Sequence, residues 1–421
     1  MTVLGTVTAS LRVRNFRLFA LGQLASATGT WAMVVAQDWL VLRLTGDSPT
    51  ALAAVTAAQF GPVLLFTLLG GRMADRFDKR LLLAGANLAS ALLAAALAAA
   101  VLSGAVRLGH VVACAVATGL VNAVETPTRL AFVGELVGPR LLPNASALSA
   151  AYFTTARILG PAVAGVAIAV WDVAAVMLAN AVSYAATVAA LLAVRPAELH
   201  RPEHRPPRDG VLAGLRHLAG RRDLALPLAL LAVVALAGFN FQVTLPLLAK
   251  EVFGTGPRTF GLLSAAMAVG SLAAAIATTG RRDRPPQSAV LAAAVAFAAL
   301  EICSGLAPSF PLALVCLAGT GAAMTAFSQA CNHRIQLGTD PAYRGRVMAL
   351  YTVVFQGTTP FGALLTGRLA EAAGPRSGLW AAGAVCGAAA LAACALAARV
   401  PRSRPAPAAP AAPAPEADAL P

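Results

Sequence analysis

A few ionisable side chains stand where water is scarce. Glu125 and Arg129 lie four residues apart with Pro127 between them in one apolar stretch, and Arg157 lies deep in the next. A charge at the centre of a bilayer costs about 2.5 to 3.5 kcal/mol on insertion scales, so such residues are functional candidates. The i, i+4 spacing puts Glu125 and Arg129 on one helix face. At about 1.5 Å of rise per residue, Glu125 also reaches a depth similar to that of Arg157, so it pairs either along its own helix or across to its neighbour. A Glu125 that exchanges partners between two states carries a proton; one that does not belongs to a fixed ion-pair network. Asp38 is a second buried-acid candidate for protonation; the alternative is a salt bridge with Arg43 or Lys250 at a membrane face. Glu301 falls near the end of the ninth apolar run and is assigned to a helix packed at the periphery.

These charges need walls around them. Gln23, Ser26, Thr30 and Gln37 fall within about 60° of one another on a helix, a stripe suited to a cavity wall. In the second half of the chain the comparable polar positions are Asn240 and Gln242, then Gln329, Asn332 and His333, then Gln356 and Thr359. Isolated Asn and Gln also serve as hydrogen-bonding glue between helices. Trp31, Phe239, Phe241, Phe327 and Phe355 are available as an aromatic lining. Gly160 and Pro161, with Gly165 after them, predict a bend in the helix that carries Arg157, since proline lacks the amide donor and crowds the preceding turn.

The elements that position these residues are dictated by composition. Of 421 residues, 58% are hydrophobic and only 12% charged, and the mean hydropathy is +0.73. That is too much apolar surface for a soluble domain, so the chain is read as an all-α integral membrane protein. Its net charge of +14 comes from Arg residues at the ends of apolar runs, with no basic stripe interleaved with aromatics. This basicity marks topology and attraction to lipid headgroups, and no nucleic-acid partner is expected. Cys114, Cys303, Cys316, Cys331, Cys386 and Cys394 form no C-x-x-C pair, so free thiols and neither metal nor cofactor are expected. A nucleophile–base pair and a phosphate-binding glycine loop are both missing, which argues against an enzyme and against direct ATP drive. Arg12, Arg14 and Arg17 precede the first long apolar run without a small-residue cleavage site, so that run is read as retained.

Runs of about 20 residues give twelve transmembrane helices: 16–44, 51–70, 81–103, 109–132, 145–170 and 173–194, then 224–249, 260–279, 288–306, 311–335, 347–370 and 378–398. They divide the chain into a six-helix bundle over 1–194, an Arg- and Pro-rich linker with an interfacial helix over 195–222, a second bundle over 223–400, and a disordered Pro/Ala-rich tail over 401–421. Arg43, Arg107, Lys250, Arg258, Arg368 and Arg376 fall on one side and the remaining cations on the other, which places both termini in the cytoplasm. A repeat at an offset of about 208 residues, falling later to about 202, supports two pseudo-symmetric halves. It aligns Arg43 with Lys250, Pro49 with Pro257, Asp75 with Asp283, Gly160 with Gly362 and Gly165 with Gly367.

Between the second and third runs lies Gly71-Arg72-Met73-Ala74-Asp75-Arg76-Phe77-Asp78-Lys79-Arg80. The spacing G-x-x-x-D-R-x-x-K-R resembles the signature loop of the major facilitator superfamily of secondary transporters. The resemblance implies that Gly71 permits close helix approach, that Asp75 faces a helix terminus of the other half, and that Arg76 and Arg80 join a charge network closing an inner gate. The chain departs from that pattern at Asp78, where the family usually has Gly. Glu125-x-Pro-x-Arg129, Glu135-Leu136-Val137, Asn144-Ala145 and Arg157-Ile-x-Gly160-Pro161 narrow the resemblance to the branch of enterobactin exporters and macrolide-type efflux proteins. The expectation is a monomeric plasma-membrane exporter of amphipathic small molecules such as a drug, toxic metabolite or siderophore, with protons as coupling ion. A solute importer of the same fold and a non-transporting membrane sensor are the alternatives.

Overall fold

The computed structural model describes residues 9–200, 221–278, 283–340 and 343–398. Most of the interfacial helix expected over 210–222, and the tail expected over 401–421, lie outside the described residues. The described chain is helical, as a bilayer requires: with no water to bond to, the backbone must satisfy its own amides and carbonyls. The helices are α1 (Arg14–Thr45), α2 (Pro49–Arg76), α3 (Lys79–Leu102), α4 (Leu108–Leu192), α5 (Arg222–Ala237), α6 (Phe241–Leu247), α7 (Pro257–Thr278), α8 (Gln287–Leu306), α9 (Phe310–Gly338), α10 (Arg344–Gly357), α11 (Thr359–Ala373) and α12 (Ser377–Ala398).

Among the described residues ten helices are long and apolar enough to cross a membrane, and α4 crosses three times. Its 85 residues would measure about 128 Å if straight, against a hydrocarbon core of about 30 Å. It reverses at Gly138 (φ 71°, ψ 173°) and at Asp172 (φ 69°, ψ 173°), giving segments 108–137, 139–171 and 173–192. Pro139 follows the first reversal, where a missing amide donor is harmless. The fifth and sixth helices, and likewise the tenth and eleventh, each combine into one crossing. Twelve crossings result among the described residues, with the first and last of these on one face, called here the terminal face; the other is the distal face.

The seventh crossing, expected to run unbroken, is interrupted at Gly238–Asn240 between α5 and α6. Gly238 packs against Phe297 and Cys386, where no side chain fits, and Asn240 donates to the carbonyls of Leu236 at 2.8 Å and Ala237 at 3.0 Å. The Asn amide thus occupies acceptors that the broken ladder releases.

The repeat reappears as paired contacts. Gly119 lies against Gln59, and Gly321 against Met267; Gly160 lies against Thr28 and Ala32, and Gly362 against Leu236 and Asn240. Gly165 meets Pro257 and Gly261, while Gly367 meets Pro49 and Ala53. In each pair the partners are related by the same offsets of about 208 and about 202 residues. The last pair joins the halves: the second segment of α4 packs on α7, and α11 packs on α2, near the distal face. Lys250 and Asp47 add an ion pair there across the halves. Closure continues as deep as Gly357 against Leu64. At the terminal face Arg72, Asp75 and Arg76 are exposed and Gly71 has open space around it. Among the described residues the close contacts between the halves thus run from the distal face to mid-depth, with no ion pair or hydrogen bond across at Arg72, Asp75 or Arg76, and the space between the halves below them is called here the cleft.

Candidate functional site

Gly160 fixes the head of the cleft. Its contact with Thr28, Trp31 and Ala32 of α1 leaves no room for a side chain, and the backbone remains helical through Gly160 and Pro161. Close approach is what these residues supply in this conformation. One turn toward the terminal face, the Arg157 guanidinium lies over the Trp31 ring, 5.3 Å from its centroid, within cation–π range. One turn the other way, Pro161 and Gly165 touch Gly261 of the second half. Residues four apart share a helix face, so Arg157 lies just below the closed contact and faces the cleft. Its guanidinium makes no ion pair or hydrogen bond among the described residues.

By the repeat, Trp31 corresponds to Phe239 and Arg157 to Thr359. Phe239 is half-buried like Trp31 and packs edge-on against Phe355 at 5.7 Å, which stacks on Tyr351 at 6.0 Å. The cleft head is thus cationic and aromatic on one wall, neutral and aromatic on the other. Phe327 and Phe241 are instead buried in the core, as is Phe297.

Glu125 pairs with Arg129, Oε1 to Nε at 3.5 Å, and not with Arg157. Arg129 also lies 4.0 Å above the Phe153 ring. Glu125 acts electrostatically on Tyr152 and Tyr184, and the Tyr184 hydroxyl bonds that of Thr30 at 2.8 Å. Beyond Thr30 is a polar cavity of about 30 Å³ inside the first bundle, lined by Gln37, Gln59, Ser90, Asn180 and Tyr184 among others. This volume suffices for a water molecule.

This cavity corrects the reading of the α1 stripe. Thr30 and Gln37 face the interior of their own bundle and not the cleft between halves; Gln37 meets Gln59 at 3.4 Å. Gln23 is buried with an unpartnered amide nitrogen, beside the contact of Gly22 with Thr187. Asp38 is 4% exposed, and one carboxyl oxygen is buried without a hydrogen-bond partner. Its alternative salt bridges are absent, because Arg43 pairs with Asp172 and Lys250 with Asp47. Glu301, assigned to the periphery, is 1% exposed and also has an unpartnered oxygen.

Of the second-half positions, Gln329 accepts from Thr278, Asn332 lies in hydrogen-bonding reach of Tyr351, Gln242 and Thr359 are half-buried, and Gln356 is exposed. In the charged loop, the tight helix approach expected of Gly71 belongs to Gly70, which packs on the Ala123 carbonyl. Asp78 needs no glycine-like freedom: it caps α3, its side chain accepting from Leu81 N at 3.2 Å. Arg80 donates to the Val194 carbonyl at 3.1 Å, and Lys79 pairs with Glu135 at 2.7 Å. Both ties lie within the first half. Asp47, Asp172, Tyr184 and Tyr351 were not singled out by sequence; the two acids stood at run ends beside Arg43 and Lys250, and the tyrosines were lone polar tips in apolar runs.

Comparison with known proteins adds to this geometry. The profile of the family described as transmembrane secretion effector, within the major facilitator group, matches residues 5–419. The chain is 28% identical over 253 residues to the staphyloferrin A transporter of Staphylococcus aureus (strain NCTC 8325 / PS 47), covering 59% of this chain and 62% of that one, less than two thirds of that relative's length. It is 27% identical over 369 residues to the multidrug efflux pump Tap of Mycobacterium tuberculosis (strain ATCC 25618 / H37Rv), covering 85% of this chain and 87% of that one. Among solved structures, a bacterial homologue of the human lysosomal transporter Spinster, inward-facing and unoccupied, superposes with a TM-score of 0.72 at 16% identity over 93% of this chain and 99% of that one. The nucleoside transporter NupG gives 0.73 at 11% identity, covering 91% and 98%. At these identities the structural likeness establishes the fold alone.

Proposed function

The chain belongs to the transmembrane secretion effector family, whose members are major facilitator transporters and not enzymes, and on that premise we propose that it exports amphipathic small molecules in exchange for protons. Drugs, toxic metabolites and siderophores are the substrate classes. The membrane is the bacterial plasma membrane, with the terminal face in the cytoplasm, and the working unit is a monomer. The observation that carries the reading is the cleft shut distally at Gly165–Gly261 and Gly367–Pro49, with aromatic and polar side chains at its head. Such a cleft loads from the terminal side, and rocking of the two halves about its head delivers the load to the other.

In this reading Glu125 and Asp38 take up and release the proton. The route between them is the Tyr184–Thr30 hydrogen bond, the small polar cavity and the Gln37–Gln59 contact. Asp75, exposed here, finds its partner in the second half only when the terminal side closes, and Arg76 joins it. The relatives' printed names, a siderophore transporter and a multidrug efflux pump, support a substrate with apolar and hydrogen-bonding surfaces.

The test is cellular accumulation of a panel of lipophilic antibiotics and dyes, with and without a protonophore. Cells make either this protein or an equally abundant Asp75→Asn variant. Lower accumulation that the protonophore restores, lost in the variant, is the expected result. Higher accumulation would instead identify an importer, and signalling changes without flux would identify a sensor.

A further inference from the structure

Arg157 is a cation without a counter-ion at mid-depth of the membrane. It stands about 20 Å or more from either end of its α4 segment, counting rise per residue, so no lipid headgroup reaches it. Glu125 is already paired with Arg129, which leaves the cleft-facing charge of the first half at one uncompensated guanidinium. The second half supplies no carboxylate opposite. Among the described residues from α5 to α7 and from α9 to α11 the acids are Asp223, Glu251, Asp340 and Glu371, all at helix ends or in the turns beside them. The equivalents of Glu125, Arg129 and Arg157 by the repeat are Phe327, Cys331 and Thr359, none of them charged. A half-buried guanidinium without a counter-ion at mid-depth of a membrane is costly to keep, and its planar fork of donors suits a carboxylate.

We propose that Arg157 is the docking point for an anionic group of the carboxylate class on the transported molecule, whose apolar body lies between Trp31 and the Phe239–Phe355 pair. The inference rests on the transport reading for calling that molecule a substrate, but the site itself requires only binding. Trp31 holds the guanidinium by its face and leaves the edge donors free. The neutral wall then accepts the apolar part when the halves close, so one molecule satisfies both sides of the cleft.

The full chain in nanodiscs of phosphatidylcholine is titrated with pyrenebutyrate and with its uncharged amide, pyrenebutyramide, against empty discs. The wild-type protein is expected to bind the carboxylate about tenfold more tightly than the amide, the lower range for a hydrogen-bonded charge pair. Arg157→Gln should bring that ratio to about one with amide affinity unchanged, which also reports an intact fold, and Arg157→Lys should keep only part of the preference, because an ammonium retains the charge but not the planar fork. No saturable binding of pyrenebutyrate, a wild-type ratio of about one, or a ratio that survives Arg157→Gln would overturn the proposal. The measurement needs no gradient or flux. Failure of export in cells therefore leaves the ratio to be judged alone, and an exporter whose ratio is one keeps the transport reading and loses the anion site.

Discussion

Replacing Gly165 by alanine should drive the halves apart at the distal face. The added methyl group would stand 2.8 Å from the Pro257 carbonyl oxygen and 3.1 Å from the Arg258 Cα. Both are backbone atoms of the other half and cannot swing aside as a long side chain would. Overpacking of this kind costs about 1 to 3 kcal/mol. Because the clash exists only while the distal ends touch, the whole cost falls on the conformation open to the terminal face. The ratio of the two states should move about 5-fold to about 150-fold toward the distally open one. Spin labels at Ala105 and Ser309, exposed distal-loop positions in different halves, would report it as a longer-distance population in a cysteine-free background. Gly71→Ala is the matched control, since nothing stands within 4 Å of a Cβ there. An unchanged distance distribution in folded Gly165→Ala protein would refute the account of distal closure. Gly367→Ala, with its methyl 2.9 Å from the Pro49 carbonyl, should reproduce the effect from the other side of the pseudo-symmetry.

Other substitutions address separate parts of the molecule. Glu135→Gln strands Lys79, whose side chain is 16% exposed beside one 8% exposed. It should cost about 2 to 3 kcal/mol, reduced from the fully buried case, read by thermal unfolding in detergent; the charge-swapped double variant should recover part of the loss. Lys250→Glu removes the distal ion pair with Asp47. As a half-exposed pair worth about 0.5 to 1 kcal/mol, it should shift the same spin-label distribution only about 2-fold to 5-fold, less at high salt, with Asp47→Lys in the same chain restoring it. Glu125→Gln and Asp38→Asn should each abolish substrate-driven proton flux in proteoliposomes while substrate binding persists, and unchanged flux in either variant would remove that residue from the proton route.

Span number and the two-half architecture were legible because both leave one-dimensional marks. Apolar length is set by bilayer thickness, and the repeat survives as spacing. The correspondence of Gly165 with Gly367, and of Pro257 with Pro49, follows from that spacing alone. What the sequence did not disclose was which neighbour each helix face meets. Gln23, Thr30 and Gln37 share a face by their period, but periodicity cannot tell a wall of the cleft from a wall of the bundle's own interior; the close contact of Gly22 with Thr187 turns that face inward. Gly71 and Gly70 are adjacent in the loop motif, and only the crossing of α2 over Ala123 decides which must lack a side chain. Asp78 reads as a departure from a turn residue until its side chain is found capping α3. The interruption at Gly238–Asn240 was marked by two poor helix formers inside an apolar run, a signal too short to outweigh the run's length.

The broken part of the symmetry bears on how such a cleft can work. Glu125, Arg129, Arg157 and Asp38 all belong to the first half, while their equivalents in the second are Phe327, Cys331, Thr359 and Pro246. If the halves rock as bodies, charges confined to one of them keep their mutual distances throughout the cycle. Their energies then change only through hydration and through what lies across the cleft. A neutral aromatic wall closing over Arg157 removes water without offering a counter-charge, which is unfavourable for the empty site and favourable when an anion fills it. An anionic cargo can thus be sensed by one moving apolar surface, with no charge at the positions of the second half that match Glu125, Arg129 and Arg157.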